Sequence, residues 1–487
     1  MPRTPTWILA ALAAGFPALA AAPVSGAAPA SPAAREAESP VLAMADCKSG
    51  GTPARCGTLT VFENRTTRTG RKIDLRIVVL TAGGEDPAPD PIFFLHGGPG
   101  GAASDLAAMF AISPLRERRD IVLVDQRGTG ESNGLECPSR SLQETFEAMT
   151  TFVLPGVEEC RKSYEADLTQ YTTTIAMADL DDVRRALGYD TINLFGGSYG
   201  TRAALEYMRR YPAHTRTAYL RGVHPPAGVL PANFDRDSQA ALDSLLADCA
   251  AEPACGRNHP GLREKLAGIL ARLEEKPERI ELANPVTGRR EMLEVDDRIF
   301  RGVIHYTLYS SLMAARLPGA LDEAVSGSVR PVIENVLPFA VQTEVAISFG
   351  MFLSVACAED APFLNLEQID REAHGTLLGG RMSRGLLRSC AGWPRAELAA
   401  DYKRPVESDV PALIVSGAVD PVTAPHLAAE AARHLPHSLH LVVAGTSHGD
   451  WTPGCVSALL ERFLERGSVE GLDVSCVADV GRPGFLD

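Results

Sequence analysis

Ser198 stands in Gly196-Gly197-Ser198-Tyr199-Gly200, between the apolar run Thr191 to Phe195 and a helical pattern from Thr201 to Tyr211. A serine between flanking glycines on a sharp strand-to-helix turn is the arrangement that presents a nucleophile. A plain Gly/Ser turn lacks that strand and helix. Serine is a weak nucleophile at neutral pH, so it needs a histidine base and a carboxylate to orient the base. On such a turn the chain order is serine, then acid, then histidine, with both partners on loops after strands. Asp420 follows the apolar run Ala412 to Val415 and precedes Pro421. His448, in Gly445-Thr446-Ser447-His448-Gly449, follows the next apolar run, Leu439 to Val443. His426 and His434 fall on a helical pattern, and His437 and His440 flank or enter a strand. The expected triad is therefore Ser198, Asp420 and His448.

Acyl transfer also needs N–H donors for the developing oxyanion. Tyr199 supplies one by following the serine. The other is expected from His96-Gly97-Gly98-Pro99-Gly100, at Gly98, where the lack of a side chain permits close approach. Asp125 and Arg127 are read as an ion pair bracing their loop rather than as catalytic groups. No Cys-x-x-Cys with a matching histidine cluster occurs, so neither a metal nor another cofactor is expected.

The elements that must position these residues follow from periodicity. Gly57 to Ala82 alternates apolar residues and reads as a β-hairpin. Continuous apolar runs at Pro91–Leu95, Ile121–Val124 and Thr191–Phe195, each followed by a glycine loop and a helix, predict a mostly parallel sheet covered on both faces. From 231 to 403 helical periodicities dominate (Ser238–Ala251, Gly261–Glu275, Asp297–Ala315, Asn365–Leu377), and the β/α texture then returns. That insertion reads as a helical cap over the site, the alternative being a separate helical domain.

The N-terminus carries Arg3, an apolar run from Trp7 to Ala14 and small residues at Ala18-Leu19-Ala20, the pattern of a secretory signal peptide. Pro17 and Pro23 argue against a membrane anchor. The expected division is 1–22 signal peptide, 23–45 flexible leader, 46–230 first part of the core, 231–403 cap and 404–487 second part of the core. The protein is expected to be secreted or periplasmic, with no membrane anchor in the mature form. Its ten cysteines suit that route, and their near-neighbour spacing suggests sequential pairing. With 47 Lys and Arg against 61 Asp and Glu, the net charge of -14 argues against nucleic-acid binding.

Together, His96-Gly97-Gly98-Pro99-Gly100, Asp125-Gln126-Arg127-Gly128-Thr129-Gly130 and Gly196 to Thr201 resemble the prolyl iminopeptidase and tripeptidyl aminopeptidase group of α/β-hydrolases. Met177 to Gly188 and Ser416 to Pro425 are similar to the secreted tripeptidyl branch, which also has the longer cap. The resemblance spans roughly residues 45 to 460. It implies the α/β-hydrolase fold, a serine aminopeptidase releasing N-terminal residues or short peptides, and peptide substrates with a free N-terminus. Glu359 and Asp360 match a Cys-Ala-Glu segment of that branch, which implies that they bind the substrate ammonium. Arg221 stands where relatives usually carry an acid, a departure from the family pattern at that strand end. An exported esterase or amidase using the same triad is the alternative. Epoxide hydrolase or dehalogenase chemistry would want an aspartate at 198.

Overall fold

The computed structural model describes residues 42–450 and 454–486, apart from 138 and 140. The expected signal peptide, 1–22, and most of the expected leader, 23–45, lie outside the described residues. The strands are β1 (Met44–Ser49), β2 (Thr52–Phe62), β3 (Lys72–Leu80), β4 (Ile92–Leu95), β5 (Ile121–Val124), β6 (Ile192–Gly197), β7 (Thr215–Arg221), β8 (Glu278–Ala283), β9 (Arg290–Val295), β10 (Ala412–Gly417) and β11 (Ser438–Val443). β1 begins at Met44, so the last residues assigned to the leader belong to the sheet.

One sheet has the order β1-β2-β3-β5-β4-β6-β7-β10-β11. Pairing is antiparallel from β1 to β5 and parallel from there to β11. The continuous apolar runs are buried on both faces because helices cover both. Alternate residues of one strand serve opposite cores: Ile77 and Val79 pack with helices Thr173–Ala186 and Tyr199–Arg210, whereas Val78 and Leu80 pack with Phe110 and helix Gly454–Arg466.

Residues 231–403 fold mainly as helices, and the sequence missed five of them: Pro253–Asn258, Leu317–Ser326, Arg330–Ala346, Phe349–Glu359 and Arg381–Ser389. It also missed the antiparallel hairpin of β8 and β9. Only alternate residues of that hairpin are buried (Ile280, Leu282, Leu293, Val295), too short an alternation to stand out. Helix Leu142–Thr151, assigned from sequence to the first part of the core, shares an apolar cluster with Leu245, Phe300, Val336 and Met382. Five disulfides join Cys47–Cys56, Cys137–Cys160, Cys249–Cys255, Cys357–Cys390 and Cys455–Cys476, the sequential pattern expected. Among the described residues no helix is long and apolar enough to cross a membrane.

Candidate active site

β6 ends at Gly197 and helix Tyr199–Arg210 begins at once, leaving Ser198 alone on the turn. Its φ of 55° and ψ of -125° lie in a strained region that the surrounding contacts must enforce. The turn is tight enough that a methyl on Gly200 would collide with the Leu95 carbonyl, which explains the glycine there.

Asp420 and His448 leave the carboxyl ends of β10 and β11, neighbouring parallel strands. The His448 Nε2 lies 3.1 Å from Ser198 Oγ, and its Nδ1 lies 2.9 Å from Asp420 Oδ2. Nδ1–H facing a carboxylate leaves Nε2 as the acceptor for the serine proton. Asp420 is buried and also accepts from the Val422 and Thr423 N–H groups at 2.8 Å and from Thr423 Oγ1 at 2.6 Å. Burial pushes its pKa up, but the neighbouring imidazole and these hydrogen bonds outweigh burial and hold it down at about 2. Thr423 went unnoticed in the sequence; a hydroxyl three residues after the acid is the available signal.

The loop that carries Gly98, one of the expected oxyanion donors, runs beside the serine. Gly97 packs against it so closely that a Cβ there would sit 3.1 Å from Ser198 Cβ, and Gly98 follows with φ 116°. At Gly98 a Cβ would come within 2.8 Å of the Gly100 nitrogen. Tyr199 is buried and its hydroxyl lies 2.8 Å from Thr173 Oγ1.

Glu359 and Asp360 are placed elsewhere than expected. Both are fully buried, and neither lines the cavity above Ser198. Asp360 takes a two-pronged contact from Arg202, Nη2 to Oδ1 at 2.8 Å and Nη1 to Oδ2 at 2.9 Å, and accepts the Leu230 N–H at 2.9 Å. Glu359 accepts from the Thr173 N–H and hydroxyl at 2.7 and 2.8 Å and from the Tyr402 hydroxyl. Burial opposes ionisation of Asp360, yet the Arg202 charge wins and keeps its pKa below the ordinary value, whereas burial pushes Glu359 up. Their carboxylates are occupied by the protein's own donors, so the ammonium contact implied by the resemblance is corrected to an internal ion pair. The missed signal was Arg202 itself, a cation beside Ala203 and Ala204 on a helix that must pack inside. Such a group needs a buried acid.

The expected pair of Asp125 and Arg127 is also corrected. Arg127 donates to Asp179 at 2.6 and 3.0 Å, while Asp125 accepts from Ser104 N–H and Oγ at 2.8 and 2.9 Å. Each braces the loop through a different partner. Arg221, the flagged departure, donates to the backbone carbonyls of Ser447, His448 and Asp450, and so holds the loop that carries the base.

Above the serine lies a cavity of about 320 Å³. Its walls come from the inserted helices and from helix Leu142–Thr151, and include Phe152, Phe234, Tyr309, Phe339 and Phe352. The rings form a connected set: Tyr309 meets His448 edge-on at 5.1 Å and Phe339 at 5.5 Å, and Phe152 meets Phe352 at 5.6 Å. A serine with base and acid in line, at the floor of an apolar cavity, can carry out acyl transfer to water.

The parallel sheet, the turn after β6 and the Ser-Asp-His order define a serine hydrolase of the α/β-hydrolase fold, and two stretches of the chain match family models. Residues 90–254 match the family described as "alpha/beta hydrolase fold" and residues 376–476 match "TAP-like protein". The serine protease Hip1 of Mycobacterium tuberculosis is 25% identical over 463 residues, which covers 87% of each chain. A proline iminopeptidase of Xylella fastidiosa is 34% identical over 138 residues, 28% of this chain and 34% of that one. A crystal structure of a proline iminopeptidase from Mycobacterium smegmatis has a TM-score of 0.42 at 18% identity, over 84% of this chain and 98% of that chain.

Proposed function

We propose that this chain is an exported serine peptidase that hydrolyses peptides through an acyl-enzyme. Ser198 attacks the scissile carbonyl and His448 takes the hydroxyl proton and passes it to the leaving amine. Asp420 holds the imidazole, and the N–H groups of Tyr199 and Gly98 bind the oxyanion. Water then repeats the sequence in reverse and frees the acyl group. The observation that carries this reading is the line Asp420–His448–Ser198, at 2.9 and 3.1 Å, opening onto the cavity. Relatives named serine protease and proline iminopeptidase support peptides as substrates. Five disulfides and the N-terminal pattern support export.

Release of residues from a free N-terminus, the aminopeptidase form of this reading, rests on the resemblance and on the iminopeptidase relatives. Its ammonium would have to be held by groups other than Glu359 and Asp360. An exported esterase or amidase is the second reading, favoured by the aromatic walls of the cavity, which suit uncharged acyl groups.

Fluorogenic aminoacyl, dipeptidyl and tripeptidyl amides, each with free and with blocked N-termini, separate these readings when assayed beside p-nitrophenyl esters. Turnover of the amides that Ser198→Ala reduces by roughly five to six orders of magnitude is expected. Indifference to blocking removes the aminopeptidase form. Turnover of esters alone favours the second reading, and substantial activity in Ser198→Ala overturns the nucleophile assignment.

A further inference from the structure

Ser348 stands at the N-terminus of the inserted helix Phe349–Glu359, in the capping position. A serine there ordinarily turns its hydroxyl back to accept an N–H of its own helix. Ser348 does not. Its hydroxyl donates to Glu136 Oε1 at 2.6 Å, and the Gly350 N–H it could have capped is taken by the Leu135 carbonyl at 2.9 Å. Ser348 is 3% exposed, whereas Glu136 lies on the surface. A buried capping residue thus reaches away from its helix, to an anchor on the stretch between β5 and helix Leu142–Thr151.

The backbone of the same residue meets the loop expected to serve the oxyanion. The Ser348 N–H donates to the Gly100 carbonyl at 3.0 Å, and Ile347 forms an antiparallel bridge with Gly101. The Gly101 N–H donates to the Gly97 carbonyl at 3.2 Å and closes the turn around Gly98. The two segments approach closely: a Cβ on Gly100 would lie 2.8 Å from the Ser348 carbonyl oxygen, and one on Gly98 would lie 3.1 Å from Ile347 Cδ1. With glycine at 97, 98, 100 and 101, the loop has little stiffness of its own. Its shape is set from outside, by Ser198 against Gly97 and by Ile347 and Ser348 against Gly98, Gly100 and Gly101. The peptide planes between those contacts decide where the Gly98 N–H points.

We propose that Ser348, anchored by Glu136, is a positioning residue of the oxyanion site, so that the inserted region takes part in the chemical step as well as in walling the cavity. The assignment rests on the acyl-enzyme reading above, with Gly98 as a donor. Stabilising an oxyanion requires donors that are fixed before the charge develops. Misplacing a reacting group by about 1 Å can cost roughly 100-fold in rate. Released from Glu136, Ser348 would hold the Gly100 carbonyl less firmly, and the loss would fall on the transition state rather than on the bound substrate.

The test uses the p-nitrophenyl ester of N-acetyl-phenylalanine and the matching trifluoromethyl ketone, whose serine adduct carries a charged oxygen where the intermediate's would lie. Ser348→Ala and Glu136→Ala each remove the hydroxyl–carboxylate contact. Each is expected to lower kcat by roughly 10- to 100-fold with KM within about twofold, and to weaken the ketone by the same factor as kcat/KM. The double variant should lose no more than either single one. Glu136→Gln, which keeps an acceptor for the hydroxyl, should retain most of kcat. If Ser348→Ala does not fold, Glu136→Ala, at an exposed position, decides alone. A loss through KM only, or an unchanged ketone affinity in a folded Glu136→Ala, overturns the proposal. Losses that multiply in the double variant also overturn it. An unaltered chain that hydrolyses neither the ester nor the peptide amides refutes the serine-hydrolase reading itself, and the proposal falls with it.

Discussion

Arg202 and Asp360 face each other as a fully buried pair, nitrogens on oxygens at 2.8 and 2.9 Å. The arginine is the fifth residue of the turn and helix that begin at Ser198, and the aspartate directly follows a helix of the inserted region. The pair therefore ties the inserted helices to the helix that carries the candidate nucleophile. Removing one partner of such a pair strands a charge where water cannot reach it, at a cost of roughly 3–5 kcal/mol. Asp360→Ala should lower unfolding free energy by about that amount in urea titrations. It should also leave the ratio of kcat/KM for free and blocked peptide amides unchanged. A selective loss on free-amine substrates would restore the direct ammonium contact.

Thr423 donates to the Asp420 oxygen that also meets His448. A hydrogen bond to a charged group contributes about 1.5–3 kcal/mol, so Thr423→Val should lower kcat by roughly 10- to 100-fold. Steady-state kinetics on a p-nitrophenyl ester measure this. A kcat within twofold of the original would show that the two backbone N–H donors suffice to hold the carboxylate.

Gly98 adopts φ 116°, and a Cβ there would press on the Gly100 nitrogen. Gly98→Ala should displace the loop N–H from the oxyanion and reduce kcat by roughly 100- to 1000-fold, with KM changing little. An unchanged kcat would take Gly98 out of the oxyanion site.

His305 is buried against Phe234, Tyr306 and Tyr309, with Nδ1 2.7 Å from Ser238 Oγ. Burial first, and the His448 charge second, push its pKa down to about 3. The unfolded chain titrates this group near the ordinary value of about 6.5, so between about pH 6.5 and 3 the unfolded state binds a proton that the folded state does not. The stability contributed by neutral His305 is thus complete above about pH 6.5 and declines as the pH falls towards 3. Across the middle of that window, His305→Gln should reduce the slope of unfolding free energy against pH by about 1.4 kcal/mol per pH unit. An unaltered slope in urea titrations at several pH values would show that the folded state takes up the proton too.

Much of the site was legible because it depends on chain order and on turns. A serine between glycines, after a buried strand and before a helix, states its geometry locally, and the strands before Asp420 and His448 are continuous apolar runs. The strand runs at Pro91–Leu95, Ile121–Val124 and Ala412–Ser416 appear as β4, β5 and β10 for the same reason: a strand buried on both faces needs no alternation to be recognised. The inserted region was harder to read. Helix Phe349–Glu359 is apolar nearly all round, so it has no polar face to reveal its period, and the β8–β9 hairpin buries only alternate residues. Helix Leu142–Thr151 was placed by sequence position with the sheet, but its apolar face packs on helices more than a hundred residues later.

The sequence by itself determined Ser198, its turn, and the order in which Asp420 and His448 follow, because covalent succession and strand–loop placement encode them. Only the tertiary structure decided what the acidic pair at Glu359 and Asp360 does. A carboxylate reads the same on paper whether it faces a substrate or an arginine, and the choice depends on which cation folding brings within about 3 Å. Here folding brings Arg202. The same arginine also donates to the His224 ring, a relationship between positions 202, 224 and 360 that no local pattern could carry.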